Sequence, residues 1–387
     1  MNITVPSSTK TKVLVSNEFY DLHRGEKDFF LARYLASKRQ FTVYLLHSRY
    51  RSLLDSHESY HKRQQLYSEY TDGYNIKTVC YQAIRLIRNS GAKRTAFLLP
   101  NIFSYLHHLI SINPDAIIDV IYTTLTPRSI LNGLFARLRK KTLVLIDPGD
   151  EGKNNKLIPG EQMIFNYAQR IITTSKAAKE KITRKYSLLD QSKIIISHKM
   201  ISTSTFRFDP SCCSSMCTIG YVGRFLKAKG FGKFLEISES LPQNVRCIAV
   251  GKNEDNYPIN RKVEFFEMTE NKNLPKIYSS IDILIIPDLS AFQSYPTVAQ
   301  EALLCGCEVW VGNISEEYFP SSSYFHFIKD GDMNEFNLSL SYMQTLSFKQ
   351  KREMRKFSSA HYRYELSPQR VAEQIEILIH SFKAAVK

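Results

Sequence analysis

Short apolar runs alternate with stretches of helical periodicity along most of the 387 residues. Lys12–Ser16, Phe41–Leu46, Asp115–Thr124, Lys141–Asp147, Arg170–Thr174 and Lys193–Ser197 read as buried strands. Between them, Phe29, Phe30, Ala32 and Leu35 mark one helix, Arg128–Arg139 a second, and Ser175–Ile182 a third with Ser175 as its cap. Residues 47–92 are polar and rich in Tyr, His and Arg, and are expected to form helices and loops. Ser202–Cys217, polar and containing Asp209-Pro210, reads as a linker. The alternation then restarts with strands at 219–222, 246–250, 263–266, 281–286 and 308–311 and helices at 231–240, 274–280 and 296–304. Strands alternating with helices imply parallel sheets covered on both faces, and ligands at the carboxyl ends of their strands. The expected architecture is α/β, two Rossmann-like domains facing each other across a cleft. The boundaries expected are 1–205, 206–365, and a final helix at 366–387 crossing back to the first domain.

Charge changes this picture more than composition does. With 43% hydrophobic and 23% charged residues, the chain has an ordinary globular composition. No run approaches the roughly 20 apolar residues of a spanning helix, and the first residues lack the pattern of a secretory signal. Yet residues 1–210 hold 32 Lys and Arg against 17 Asp and Glu, a net +15, and the remainder is neutral with 20 of each. A field so lopsided calls for an anionic partner of the N-terminal half: a membrane surface, a lipid-linked phosphate, or nucleic acid. The first half carries no helix-turn-helix or RNA-motif signature, so a nucleic-acid partner is not expected. Over Arg128–Lys141, Ile130, Leu131, Leu134, Phe135 and Leu138 share a helical face expected to pack on the core. The seven cysteines are irregularly spaced; Cys212, Cys213 and Cys217 resemble half a zinc site without a second pair, and reduced thiols without metal are expected.

The chemistry concentrates between 219 and 306. A strand at Ile219–Val222 runs into Gly223-Arg224, and Lys229-Gly230 opens a helix. Glycine allows close backbone approach, a helix N-terminus carries positive partial charge, and Arg224 and Lys229 add two cations. That set suits a diphosphate; a solvated basic turn would use the same residues. Further on, Pro296 stands where a helix starts, so the amides of Tyr295, Pro296's neighbour Thr297, and Val298 form a second anion site. Glu301, one turn later, could accept two hydrogen bonds from a ribose diol, and Gly306 ends the helix.

These segments resemble the family-4 glycosyltransferases of GT-B fold. Gly220–Gly230 is similar to that family's Gly-Arg…Lys-Gly segment, Leu274–Pro287 to its stretch before the nucleotide site, and Gln293–Gly306 to its Glu-x7-Glu motif. Weaker likeness covers Arg24-Gly25-Glu26, Thr173–Glu180 and the final helices, Tyr362–Phe382. The resemblance implies retaining transfer of a sugar from a nucleotide-sugar, without metal or other cofactor. Arg224 and Lys229 would bind the donor diphosphate with Gly223 at the turn, Glu301 the ribose, and Gly25 would lie across the phosphates. Pro296, Thr297 and Val298 would complete the donor site, and the base would meet backbone near 265–268.

Two departures stand out. Gln293 replaces the first Glu of the pair, which alters donor-sugar recognition or weakens activity. Where the family often has His, this chain has Asp147-Pro-Gly-Asp150; one carboxylate could hold the sugar or acceptor hydroxyl, with a Pro-Gly turn and solvated acids as the alternative. Asp330-Gly-Asp332 reads as a turn rather than a metal motif, and His23, His47, His107 and His108 as structural. The acceptor expected is a glycan or lipid-linked glycan, made in the cytoplasm or at the inner face of the cytoplasmic membrane. Competing readings are a nucleic-acid- or membrane-binding scaffold with a degenerate transferase site, and a nucleotide-sugar epimerase on the same fold.

Overall fold

The structure is a computed structural model of the whole chain; it describes residues 10–17, 26–51, 71–84, 99–121, 127–147, 160–197, 199–258, 262–267, 272–287, 296–312, 324–328 and 331–385. The chain forms two compact units: residues 1–174, 179–197 and 369–387, and residues 175–178 and 198–368. Each is built on its own parallel sheet.

In the first unit the strands are β1 (Thr11–Asn17), β2 (Phe41–Arg51), β3 (Ile76–Ile84), β4 (Ala116–Val120), β5 (Thr142–Asp147), β6 (Arg170–Thr173) and β7 (Ile194–Ile196). Their order is β3-β2-β1-β4-β5-β6-β7, with every neighbour parallel. Both faces are covered, so β4 is buried at every position. Helices α2 (Leu99–Ile112), α3 (Pro127–Leu138), α4 (Glu161–Tyr167) and α5 (Lys176–Lys185) join one core with Leu14, Ile117, Leu143 and Leu145. Ser175 caps α5, its Oγ accepting from the Ala178 amide at 3.1 Å. Helix α1 (Glu26–Ser37) meets the last helix, α11 (Pro368–Ala385), where Tyr34 donates to Glu376 at 2.9 Å. Buried Val371, Ile375 and Ile379 give α11 an inward stripe at a spacing of four.

Three expectations for this half need correction. Within residues 47–92, β2 continues to Arg51 and β3 occupies 76–84. The sequence hides β3 because it is an edge strand whose first residues are exposed or half-buried, and Lys77, Thr78 and Gln82 break its apolar run. The strand expected over 115–124 runs only from Ala116 to Val120, and 122–126 lie outside the described residues. Of the predicted stripe on α3, Phe135 is buried and Ile130 and Leu131 pack against the same core, but the inward face also buries Arg128, Ser129, Asn132 and Ala136. Leu131 and Leu134 are half-buried and Leu138 is exposed. Polar partners within the core, described below, explain why Arg128 and Asn132 share that face.

The second unit holds β8 (Cys217–Val222), β9 (Val245–Val250), β10 (Val263–Phe266), β11 (Ile283–Ile286), β12 (Glu308–Gly312) and β13 (Phe325–Ile328) in the order β10-β9-β8-β11-β12-β13, again all parallel. Its helices are α6 (Phe231–Ser240), α7 (Leu274–Ser280), α8 (Thr297–Leu304), α9 (Asn334–Thr345) and α10 (Phe348–Glu365). The 202–217 segment is packed rather than a free linker. Phe206 is buried with its ring 6.2 Å from that of Tyr278, and the Asp209 amide donates to Ser279 Oγ at 2.9 Å.

A buried charge cluster fastens α10 to this sheet. Asp282 accepts from the Thr218 amide (2.9 Å), Lys351 Nζ (3.4 Å) and Arg355 (3.3 Å). Arg355 also donates to the carbonyls of Tyr278 (2.9 Å), Gly306 (3.2 Å) and Cys305 (3.3 Å). All three side chains are essentially unexposed, so the cost of dehydrating them is offset only because their donors and acceptors are matched. Arg355→Met is expected to cost about 3–5 kcal/mol by leaving Asp282 and three carbonyls short of a donor. Arg184→Met, which removes an exposed pair with Glu180, should cost under about 0.5 kcal/mol. Urea midpoints at unchanged m-value measure both.

Candidate functional site

In the second unit β8 and β11 pair directly, with Ile283 opposite Ile219, although β9 and β10 lie between them in the chain. Strand order therefore reverses between β8 and β11. The turns leaving their carboxyl ends diverge there, which is where such sheets hold ligands. Gly223 and Arg224 leave β8, and α8 begins at Thr297 after β11.

The turn after β8 is tied down at several points. The Gly223 amide donates to Val250 O at 2.9 Å, the Phe225 amide to Lys252 O at 2.9 Å, and the Tyr221 hydroxyl to Arg224 O at 2.9 Å. The Lys227 amide donates to Asp255 at 2.7 Å. Phe225 turns inward and stacks on Phe231 with centroids 4.1 Å apart. This leaves Arg224 about half exposed, 3.4 Å from Glu254. A short 3-10 turn, Lys227–Lys229, then reaches Gly230 at φ 69°, a left-handed position, and α6 follows at Phe231. A Cβ at Gly251, whose φ is 159°, would collide with the Gly223 carbonyl oxygen. The close approach of the two glycines thus fixes the path of the turn.

Pro296 is the N-cap residue of α8, at φ −66° and ψ 133°, one position earlier than a first helical residue. Val298 is half-buried and Glu301 is buried, and Tyr278 donates its hydroxyl to Glu301 Oε2 at 3.0 Å. Burial, reinforced by the Glu301 charge, holds the Tyr278 phenol well above its usual range, so it stays a proton donor. Gly306, at φ 79°, ends the helix as expected from the sequence. Gly25, Gln293, Tyr295, Asp150 and Asp330 lie outside the described residues.

Asp147 is in the first unit, at the carboxyl end of β5 opposite Thr173. It is buried, which overturns the reading of a solvated acid at this position. Burial, then the Glu161 carboxylate and then that of Asp147, raise the Tyr186 phenol far above its ordinary range. Glu161 in turn pairs with Lys185 at 3.0 Å, both buried.

Sequence reasoning missed two groups. Glu254 and Asp255, which hold the Arg224 turn, are thirty residues away in sequence and carry no local signal. At the corresponding reversal of the first sheet, between β1 and β4, lies a buried polar cluster. Tyr105 donates to Asn132 at 2.6 Å, Asn132 to Ser16 at 3.2 Å, and Arg128 pairs with Asp119 at 3.4 Å. Burial raises the Asp119 pKa, against the opposing charge of Arg128. The available signal was a polar residue interrupting each apolar run, Ser16 after Val15 and Asp119 after Ile118.

Among the described residues no group of three His, Cys, Asp or Glu could hold a metal ion. Cys217 is buried in β8, and burial pushes its thiol up to about 12.

Two parallel α/β units with these helical layers define the GT-B class of fold. Residues 216–317, which contain Arg224, Lys229 and Glu301, match the family model for glycosyl transferases group 1. No curated protein matches the chain. Among solved structures, Anabaena Alr3699/HepE in complex with UDP and glucose aligns at 13% identity over 96% of this chain and 100% of that one, with a TM-score of 0.64. Sucrose-phosphate synthase of Thermosynechococcus elongatus aligns at 14% identity, 97% and 100% coverage, and a TM-score of 0.63. The lipopolysaccharide outer core galactosyltransferase WaaB aligns at 12% identity, 92% and 99% coverage, and a TM-score of 0.54. The second unit thus carries a group 1 glycosyl transferase domain, and its enzyme class is glycosyltransferase.

Gly251→Ala is expected to cost about 2–4 kcal/mol, since a Cβ there displaces the Gly223 carbonyl in addition to straining its own backbone. Gly73→Ala, at φ 75° with open space around it, should cost only its backbone strain. Unfolding midpoints of the two variants would separate collision from strain.

Proposed function

We propose that the chain is a retaining transferase of the family-4 type. It moves a sugar from a nucleotide-sugar to a glycan or lipid-linked acceptor in envelope polysaccharide synthesis at the inner face of the cytoplasmic membrane. The observation that carries this reading is the convergence, at the β8/β11 reversal, of a glycine turn bearing Arg224 and Lys229 with the N-terminus of α8 and the buried Glu301. A UDP complex with the same fold supports a nucleoside diphosphate as the leaving group, and WaaB supports an envelope glycan as the acceptor.

Chemically, the bond between the anomeric carbon and the diphosphate breaks, and negative charge grows on the departing oxygens. Arg224 and Lys229 neutralise that charge where a metal would otherwise be required, and fixed donors of this kind are worth about 10²–10³ in rate each. Glu301, held by Tyr278, accepts the ribose hydroxyls and sets the register of the donor along α8. On this reading Asp147 orients a sugar or acceptor hydroxyl, and Gln293 offers one donor and one acceptor where a carboxylate would offer acceptors alone. The amides at the start of α8 add partial positive charge to the diphosphate site.

A panel of nucleotide-sugars in a thermal-shift assay, followed by hydrolysis measurements on those that bind, tests the reading. Arg224→Ala and Lys229→Ala are expected to lower kcat/KM about 10²–10³-fold with unchanged unfolding temperature. Neither side chain is buried, so folding should survive both changes. Wild-type turnover in both variants would remove the roles assigned to the two cations.

A further inference from the structure

The loop at 251–257, which follows β9, is built against the turn that carries Arg224. The Phe225 amide donates to Lys252 O at 2.9 Å, and the Asp255 amide donates to Phe225 O at 3.3 Å. Phe225 and Asn253 form an isolated parallel bridge between the two segments. The Lys227 amide donates to Asp255 Oδ2 at 2.7 Å. Farther along, the loop closes on itself: Asn253 Nδ2 donates to Tyr257 O and the Tyr257 amide to Asn253 Oδ1, both at 2.9 Å. The Tyr257 ring meets that of Phe231, on α6, nearly edge-on with centroids 5.1 Å apart. Glu254 thus stands between two residues that are each tied to Phe225, next to Arg224 in the chain.

The Glu254 carboxylate has one partner among the described residues: its Oε2 lies 3.4 Å from Arg224 Nη1. The two side chains are 49% and 32% exposed, so their pairing adds little to stability. It is also a poor neighbour for an anion site, since a carboxylate cancels part of the guanidinium field and repels phosphate. Charge is what separates a sugar donor from the nucleotide it leaves behind. When the bond to the anomeric carbon breaks, the terminal phosphate keeps the bridging oxygen with both electrons. It then carries up to about one more negative charge near pH 7 than it did in the donor. A fixed carboxylate beside it opposes the product more than the donor.

We propose that Glu254 is a release residue, which competes with the diphosphate for Arg224 and takes the guanidinium back once the sugar has gone. Arg224 meets Glu254 through Nη1, and its other donors remain to engage phosphate, so the cation can pass from one anion to the other. Asp255, one position on, is engaged by the Lys227 amide and holds the loop in place for this exchange. The role rests on the diphosphate reading of the site and adds its regulation: the spent nucleotide is held weakly enough to leave.

The experiment is calorimetric titration of the full chain, without acceptor, with UDP, GDP, ADP, CDP and dTDP in turn. A diphosphate that binds wild type is expected to bind Glu254→Gln and Glu254→Ala about three- to five-fold more tightly, with unchanged unfolding temperatures before ligand is added. Damage to the loop would weaken binding, so a gain is not a structural side effect. The nucleotide-glucose of the same base should gain less than the diphosphate. Glu353→Gln, which removes an exposed carboxylate of α10, should leave affinity unchanged. Wild-type or weaker affinity in both Glu254 variants overturns the inference and leaves the diphosphate site standing. An equal gain from Glu353→Gln assigns the effect to net charge and overturns it too, as does an equal gain for the nucleotide-glucose. If wild type binds none of the five diphosphates, the reading of the site fails, and the release role with it.

Discussion

Parallel strand pairing is the constraint from which the rest of the molecule follows. A parallel strand cannot return by a tight turn, so each connection crosses a face of the sheet, and both faces become buried. Every carboxyl end then lies along one edge. Where the order of strands reverses, two connections leave in opposite directions and open a space. In the second unit that space receives a strand end with Gly223 and Arg224 and a helix start with Thr297. No special device is needed to bring residues seventy positions apart to one place; the sheet does it. What the chain adds is the chemistry of the turn and the packing that fixes it.

The parts that could be read in the sequence are those whose signal is local. Buried parallel strands are continuous apolar runs, and β10 at 263–266 and the helices at 231–240 and 274–280 lie where the pattern puts them. Gly230 and Gly306 mark left-handed positions that a side chain would disfavour, so glycine itself is the signal. The family-like segments 220–230 and 293–306 fall within the matched domain, 216–317. The hidden parts have partners far away in the chain. The apolar run of β3 is broken by Lys77, Thr78 and Gln82, as an edge strand allows. The partner of Arg224 is Glu254 and that of the Lys227 amide is Asp255, and nothing near residue 224 points to them.

Helix α3 shows how a correct periodicity can give only part of an inward face. Its leucines repeat at helical spacing, and hydrophobicity alone would turn them inward. A buried Asp119, however, must be paired, and Arg128 on α3 is its counter-charge, with Asn132 one turn on hydrogen-bonded to Ser16 and Tyr105. Leaving a buried carboxylate alone costs more than exposing a leucine to water, several kcal/mol against about 2. Electrostatics therefore claims part of the inward face beside Phe135, Ile130 and Leu131, and Leu138 at the end of the helix goes to the surface. The sequence holds both signals, yet only the fold reveals that residue 119 is buried.

Tyr278 shows the same economy in the second unit. Its carbonyl accepts from Arg355, its hydroxyl donates to Glu301, and its ring is fully buried. The Asp282–Arg355 cluster and the Glu301 carboxylate are thus joined through one residue, by its carbonyl on one side and its hydroxyl on the other, and α7, α8 and α10 share one anchor. A carboxylate on a short helix would ordinarily sample several rotamers and lose ligand affinity in settling on one. Here a buried phenol, whose proton the low-dielectric surroundings retain, confines that choice. The cluster that stabilises the sheet is therefore linked to the acid on α8, and Arg355 and Glu301 are parts of one structure.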